Sequence, residues 1–289
     1  ADRGGAAVSA AGGSAPPADP VTLPPPRLIG LPYDASSSFL RGAAQAPPLI
    51  REALHSPAGN TWTEALVDLS APGGLTDAGD LELPPTPEFL GLIEAGITRL
   101  LDADARPISL GGDHSVSWPV LRAVGRRHPG LTVLHIDAHP DLYEDFEGDR
   151  LSHACPYARV LEEGLAGRLV SVGIRTMSRH QREQADRYSV TTIDMRDWSR
   201  GVRPRIEGPV YLSLDLDGID PAFAPGVGHR EPGGLTVREV LSLIQALPDP
   251  FVGADVVEYN PLCDTQGVTA QVAAKLVKEI AGRMIAGVH

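Results

Sequence analysis

From Arg27 onward, six short apolar runs, residues 108–110, 131–136, 169–174, 191–193, 210–216 and 252–257, alternate with amphipathic stretches. The runs are rich in β-branched residues and often apolar at consecutive positions, which is the pattern of strands buried on both faces. The segments between them carry helix-start signals. Thr86-Pro87-Glu88 sets a cap, a proline and an acid ahead of a face formed by Ile93, Ile97 and Leu100. Thr236 and Glu239 have capping-box spacing before Val240, Leu241 and Ile244, and residues 269–284 place Val272, Leu276 and Ile280 on one side. Repeated β-then-α units of this kind predict an α/β fold: a three-layer α/β/α sandwich with a mainly parallel central sheet. Without an internal repeat or a linker, residues 27–289 read as one domain.

Residues 1–26 are dominated by Ala, Gly, Ser and Pro, with few side chains large enough to offset the entropy of ordering them, so they read as a disordered tail. They have neither the basic start nor the continuous apolar run of a secretory signal. No later run approaches the ~20 apolar residues of a membrane span. With 25 Lys plus Arg against 37 Asp plus Glu, a net charge of -12, the chain has no basic footprint for phosphate backbones, which argues against nucleic-acid binding. Its two cysteines, Cys155 and Cys263, make no disulfide framework, so a reducing compartment is expected: the cytoplasm, with an organelle matrix as the alternative.

In open α/β sheets the ligand sits beyond the carboxyl ends of the strands, and here the residues following three apolar runs are strongly polar. They read Gly111-Gly112-Asp113-His114-Ser115, Asp137-Ala138-His139-Pro140-Asp141 and Asp215-Leu216-Asp217-Gly218-Ile219-Asp220-Pro221. Any one of them is accounted for by a capping aspartate. Together they bring two histidines and at least four carboxylates to one rim, where like charges repel unless a cation neutralises them. Imidazole and carboxylate donors without thiolate suit Mn²⁺ foremost, with Fe²⁺, Co²⁺ or Ni²⁺ as alternatives, and six candidate ligands exceed the ordinary need of one ion. That points to two ions sharing carboxylates. If the backbone stays extended, alternate residues Asp137, His139 and Asp141 face one way, as do Asp215 and Asp217. Asp220-Pro221 reads as a turn former or an orienting residue. His135, inside a strand, reads as a satisfied core histidine.

The three motifs, in this order, resemble those of the ureohydrolases, the arginase and agmatinase family. The resemblance covers about residues 28–289. It includes Ser37-Ser38-Phe39-Leu40-Arg41-Gly42 and Ala254-Asp255-Val256-Val257-Glu258-Tyr259-Asn260-Pro261, and is most like the plant-type arginases and their bacterial relatives. It implies two Mn²⁺ per chain, one held by His114, Asp137, Asp141 and Asp215, the other by His139, Asp137, Asp215 and Asp217. It further implies a water activated between them, Asp141 as a proton carrier, Glu258 as the partner of a guanidinium, His153 as a proton shuttle, and a homotrimer or homohexamer. His229, in a glycine-rich loop near the metal strand, is a candidate for lining the pocket.

The implied reaction is hydrolysis of a small cationic guanidino compound to urea and an amine, with arginine giving ornithine or agmatine giving putrescine. Guanidinobutyrate, guanidine and formiminoglutamate are the alternatives within the family. Acidic residues in the segment 141–152 favour a second positive charge on the substrate or simply form a solvated face. Absence of the Thr/Ser/Asn-rich loop of animal-type arginases raises agmatine, while the plant-type likeness favours arginine. A single-zinc deacetylase on a related fold and a metal-binding regulator without activity are the rival readings. The ligand count argues against the first, and the intact motifs argue against the second.

Overall fold

Among the described residues, eight strands form one sheet in which every neighbouring pair is parallel, in the order β2-β1-β3-β8-β7-β4-β5-β6. The computed structural model describes residues 24–287. The strands are β1 Pro26–Leu31, β2 Thr76–Asp80, β3 Arg106–Gly111, β4 Thr132–Ile136, β5 Arg168–Ile174, β6 Thr191–Asp194, β7 Val210–Asp215 and β8 Phe251–Val257. The helices are α1 Ala46–Leu54, α2 Phe89–Asp102, α3 Ser117–Arg127, α4 Pro156–Glu162, α5 Arg179–Arg187, α6 Met195–Ser199, α7 Val237–Gln245 and α8 Val268–Ala286.

Consecutive strand residues point to opposite faces, so consecutive apolar residues feed two cores. Leu28, Leu110, Leu134 and Leu212 pack with Ile50 of α1, Ile244 of α7 and Ile280 of α8. Ile29, Val133, Tyr211 and Val257 pack on the other side with Phe89 and Ile97 of α2, Val120 of α3 and Tyr157 of α4. Each such side chain removed from water contributes about 1.5–3 kcal/mol, which is why the layered arrangement dominates local propensity.

Two strands lack the sequence signal. β2, Thr-Asp-Ala-Gly-Asp, is exposed throughout and lies at the sheet edge, where no apolar pattern is required. Arg51 of α1 holds it, with Nε 2.7 Å from Asp77 Oδ2 and an ion pair to Asp80. β1 begins at Pro26, inside the stretch expected to be a tail. The Pro25 carbonyl accepts from the Arg106 amide at 3.0 Å, and the Pro24 carbonyl from the Arg106 guanidinium. The remainder of that expected tail, residues 1–23, lies outside the described residues. The capping box of Thr236 and Glu239 is present at α7. Thr86 does not cap α2, because residues 86–90 close on bonds three residues apart, Phe89 N to Thr86 O and Leu90 N to Pro87 O, which delays the helix to Phe89.

Candidate metal centre and substrate cavity

The strand order explains why distant motifs meet. β3, β8, β7 and β4 are four adjacent strands at the centre of the sheet, and being parallel they all end at one rim. His114 follows β3, Glu258 follows β8, Asp215 and Asp217 lie at and after the end of β7, and Asp137, His139 and Asp141 follow β4. No helix among the described residues is long and apolar enough to cross a membrane.

The backbone does not stay extended through these motifs. Each aspartate at a strand end turns the chain back by accepting from the amide two residues on: Asp113 Oδ1 from Ser115 N at 3.1 Å, Asp137 Oδ1 from His139 N at 2.6 Å, and Asp215 Oδ1 from Asp217 N at 2.7 Å. Asp141 then adopts φ 49°, in the left-handed region. The expected alternation therefore fails as geometry, although the same side chains converge through three side-chain-closed turns. Asp220 is a turn former, its carboxylate accepting from the amides of Ala222 at 2.9 Å and Gly233 at 2.6 Å. Glycine is required where these turns touch. A Cβ on Gly112 would lie 1.7 Å from the Tyr33 carbonyl oxygen, and one on Gly218 2.8 Å from Asp137 N.

Two groups of donor atoms result. His114 Nδ1 lies 3.1 Å from Asp137 Oδ2, 3.0 Å from Asp141 Oδ2 and 3.2 Å from Asp215 Oδ2. It is buried, yet makes no hydrogen bond to any of the three. An octahedral ion with bonds of about 2.1 Å holds adjacent donors about 3 Å apart, so an orphaned nitrogen ringed at these distances fits a cation. His139 Nδ1 lies 3.0 Å from Asp217 Oδ2 and 3.4 Å from Asp137 Oδ1. Asp137 thus presents Oδ2 to the first group and Oδ1 to the second, and Asp215 offers Oδ2 to the first, the Oδ1 of each also accepting from the amide two residues on.

Charge crowding is severe. Burial, reinforced by Asp217 and Asp137, pushes the Asp215 carboxyl well above its usual range, and burial together with Asp137 pushes Asp217 up to about 6. Burial would also raise Asp137, but His135, His114 and His139 hold it well below the usual carboxylate value. Burial opposes protonation of His114, yet Tyr157 and the three carboxylates hold its pKa well above the ordinary imidazole value. Divalent cations relieve this conflict, and carboxylate and imidazole donors suit hard or borderline ions. The nearby Cys155 is no competitor, because burial pushes its thiol up to about 12.

A cavity of about 370 Å³ opens on the two groups. Glu258 lines it in a left-handed conformation, φ 63°, held by its amide to Gly112 O at 2.8 Å. Its Oε1 accepts from the His114 amide at 2.9 Å and from His153 Nδ1 at 2.7 Å, leaving Oε2 for a ligand. Burial works against a charged His153, but Glu258, then Asp113 and Asp141, raise its pKa to about 9. His229 also lines the cavity, its ring centroid 5.2 Å from that of His153 and 5.7 Å from that of His139. Glu144, Asp145, Glu147 and Asp149 are exposed and do not line it; Tyr143 and Phe146 of the same loop do.

Three further residues belong to the site: His135, expected only as a core histidine, and Asp113 and Ser38, which the sequence reading leaves with no role of their own. His135 donates from Nε2 to Asp137 Oδ2 at 2.7 Å and faces Ser171 Oγ through Nδ1 at 3.1 Å, so it is satisfied in the core as expected and also positions a candidate ligand. Asp113 accepts from the Ser36 amide at 3.0 Å and from Ser115 Oγ at 2.5 Å, and burial raises it to about 7. Ser38 meets His153 from a loop 115 residues away in sequence, a contact no local pattern announces.

An all-parallel sandwich with histidines and carboxylates converging at the carboxyl rim defines a metal-centred α/β protein, and the comparisons with known proteins specify which. Residues 26–282 match the model of the Arginase family. The chain is 46% identical over 275 residues to the mitochondrial arginase of Medicago truncatula, covering 89% of this chain and 81% of that protein. It is 36% identical to the agmatinase of Bacillus cereus, covering 88% of this chain and 89% of that protein. The solved Medicago truncatula arginase superimposes with a TM-score of 0.86 at 44% identity, over 92% of this chain and 89% of that one. The chain belongs to the arginase family.

Proposed function

We propose that the protein hydrolyses the guanidino group of arginine to urea and ornithine, using two Mn²⁺ per chain. One ion is assigned to His114, Asp137, Asp141 and Asp215, the other to His139, Asp137, Asp215 and Asp217. The observation that carries the reading is the buried, unpartnered His114 Nδ1 ringed by three carboxylates, next to a cavity lined by Glu258, whose Oε1 is committed to the His114 amide and His153. Bound divalent ions supply Lewis-acid chemistry that lowers the pKa of water toward neutrality.

The chain's own groups do the rest. Glu258 pairs with the planar guanidinium and turns its carbon toward the centre, a geometry carboxylates favour. Asp141 accepts the proton of the attacking water and returns it to the departing nitrogen. His153, beside Glu258 and open to the cavity, exchanges protons with solvent. Arginine is favoured over agmatine by the relatives, the arginase of Medicago truncatula being 46% identical and the agmatinase of Bacillus cereus 36% over nearly the same share of the chain. Agmatine is the second reading, supported by the agmatinase relatives.

The mitochondrial designation of the plant relatives supports an organelle matrix, and the free thiols of Cys155 and Cys263 suit a reducing compartment, the cytoplasm included. Assembly into a homotrimer or homohexamer belongs to the same reading. Urea release from arginine, agmatine, guanidinobutyrate and guanidine, after reconstitution with Mn²⁺ or Ni²⁺, is the test. Arginine should lead; activity confined to agmatine selects the second reading, and silence on all four with metal bound overturns both.

A further inference from the structure

The loop between β1 and α1 lines the cavity with Ser38, whose side chain and amide both meet the His153 ring. Ser38 Oγ lies 2.9 Å from His153 Nε2, and the Ser38 amide donates to the same nitrogen at 3.2 Å. The opposite ring nitrogen is engaged by Glu258 at 2.7 Å. An amide can only donate, whereas a hydroxyl can donate or accept. Ser38 therefore serves both states of Nε2: the amide meets the lone pair of the neutral ring, and Oγ accepts from the imidazolium. Ser38 and His153 both line the cavity, so the hydroxyl that meets Nε2 also borders the accessible space.

The loop does not depend on this contact for its place. Asp34 Oδ2 accepts from the amides of Gly42 at 2.7 Å and Ala44 at 3.1 Å. Asp113 accepts from the Ser36 amide at 3.0 Å, and Asn260 Nδ2 donates to the Leu40 carbonyl at 2.5 Å. With both ends anchored elsewhere, the Ser38 hydroxyl is free to act on His153.

The geometry points to Ser38 as a positioning residue for the hydrolysis, holding His153 by its Nε2 edge and relaying that nitrogen's proton to the cavity. In the relay, Oγ accepts the proton from Nε2 as its own hydroxyl proton passes to a cavity water, so the serine ends neutral and unchanged. The inference rests on the guanidino-hydrolase reading for its consequence, but not for its geometry.

Ser38→Ala removes the hydroxyl and keeps the amide; Ser38→Thr keeps both. With Mn²⁺-loaded protein at saturating arginine, Ser38→Ala should lower kcat about tenfold, within the range of proton-transfer catalysis, while KM stays within twofold and Ser38→Thr restores most of the loss. In a His153→Asn background the alanine change should add nothing, because the two residues act as one unit. An unchanged kcat, or an equal loss in the His153→Asn background, overturns the proposal. If the wild type releases no urea from any guanidino compound, the proposed function fails and the ring-nitrogen spectrum of the Zn²⁺-loaded protein decides the inference alone. There Ser38→Ala should move the His153 Nε2 signal and leave the other cavity histidines in place; a stationary His153 signal overturns it.

Discussion

His135 holds Asp137 by a 2.7 Å hydrogen bond from Nε2 to Oδ2, with both side chains wholly buried. Asp137 faces both donor groups, so the direction of its carboxylate sets both. Replacing His135 with Phe keeps a ring in the core and removes the donor. Loss of such an orienting partner costs about 10–100-fold in metal affinity, and that is the expected weakening of Mn²⁺ binding, read by chelator competition. Unchanged affinity in a folded variant would show that Asp137 is aligned by the backbone turn alone.

Gly112 tests the turn chemistry. A methyl group there meets the Tyr33 carbonyl oxygen at 1.7 Å, and the Asp113 amide already bonds that oxygen at 2.8 Å, so relief requires moving backbone on both sides. Gly112→Ala should destabilise by roughly 1–3 kcal/mol or more and lower metal occupancy together with it, because His114 is two residues away. Urea unfolding followed alongside metal content checks this, and a variant with native stability would sink the argument.

The rim of the sheet was legible because burial on both faces forces continuous apolar runs, so the polar residues ending residues 108–110, 131–136 and 210–216 stood out. What failed was geometry. Asp137 to Asp141 and Asp215 to Asp217 converge through turns closed by aspartate side chains, which one sequence cannot distinguish from an extended strand end. β2 was silent because an exposed edge strand buries nothing, and Ser38 was silent because its partner lies across the fold. His135 carried a signal, two residues before Asp137 on the same strand, but its burial suited a core role equally well.

The His153 pair predicts a pH signature in the metal-free protein. Its pKa rises from an ordinary 6.5 to about 9 in the fold, where it faces Glu258, Asp113 and Asp141. A raised folded-state value means the stabilisation is complete below pH 6.5 and is lost as pH climbs through 9. The pair is then worth on the order of 3 kcal/mol at the acid end of that window. His153→Asn should therefore lower the melting temperature markedly at pH 6 and little at pH 9.5. An equal loss at both would mean that packing, and not charge, accounts for the contribution.

Glu258 is held in a left-handed conformation with Oε1 committed to the His114 amide and His153, so Oε2 is the oxygen available to a substrate. Glu258→Gln keeps the shape and one acceptor, but removes the charge that pairs with the guanidinium. Hydrogen bonds to charged groups are worth about 1.5–3 kcal/mol, so kcat/KM for arginine should fall by roughly 10–150-fold. Because the carboxylate both binds and orients the planar cation, KM should rise and kcat should fall together. Metal content should stay at the wild-type level, since Glu258 is not assigned as a ligand; a variant that loses its metal would move Glu258 into the centre itself.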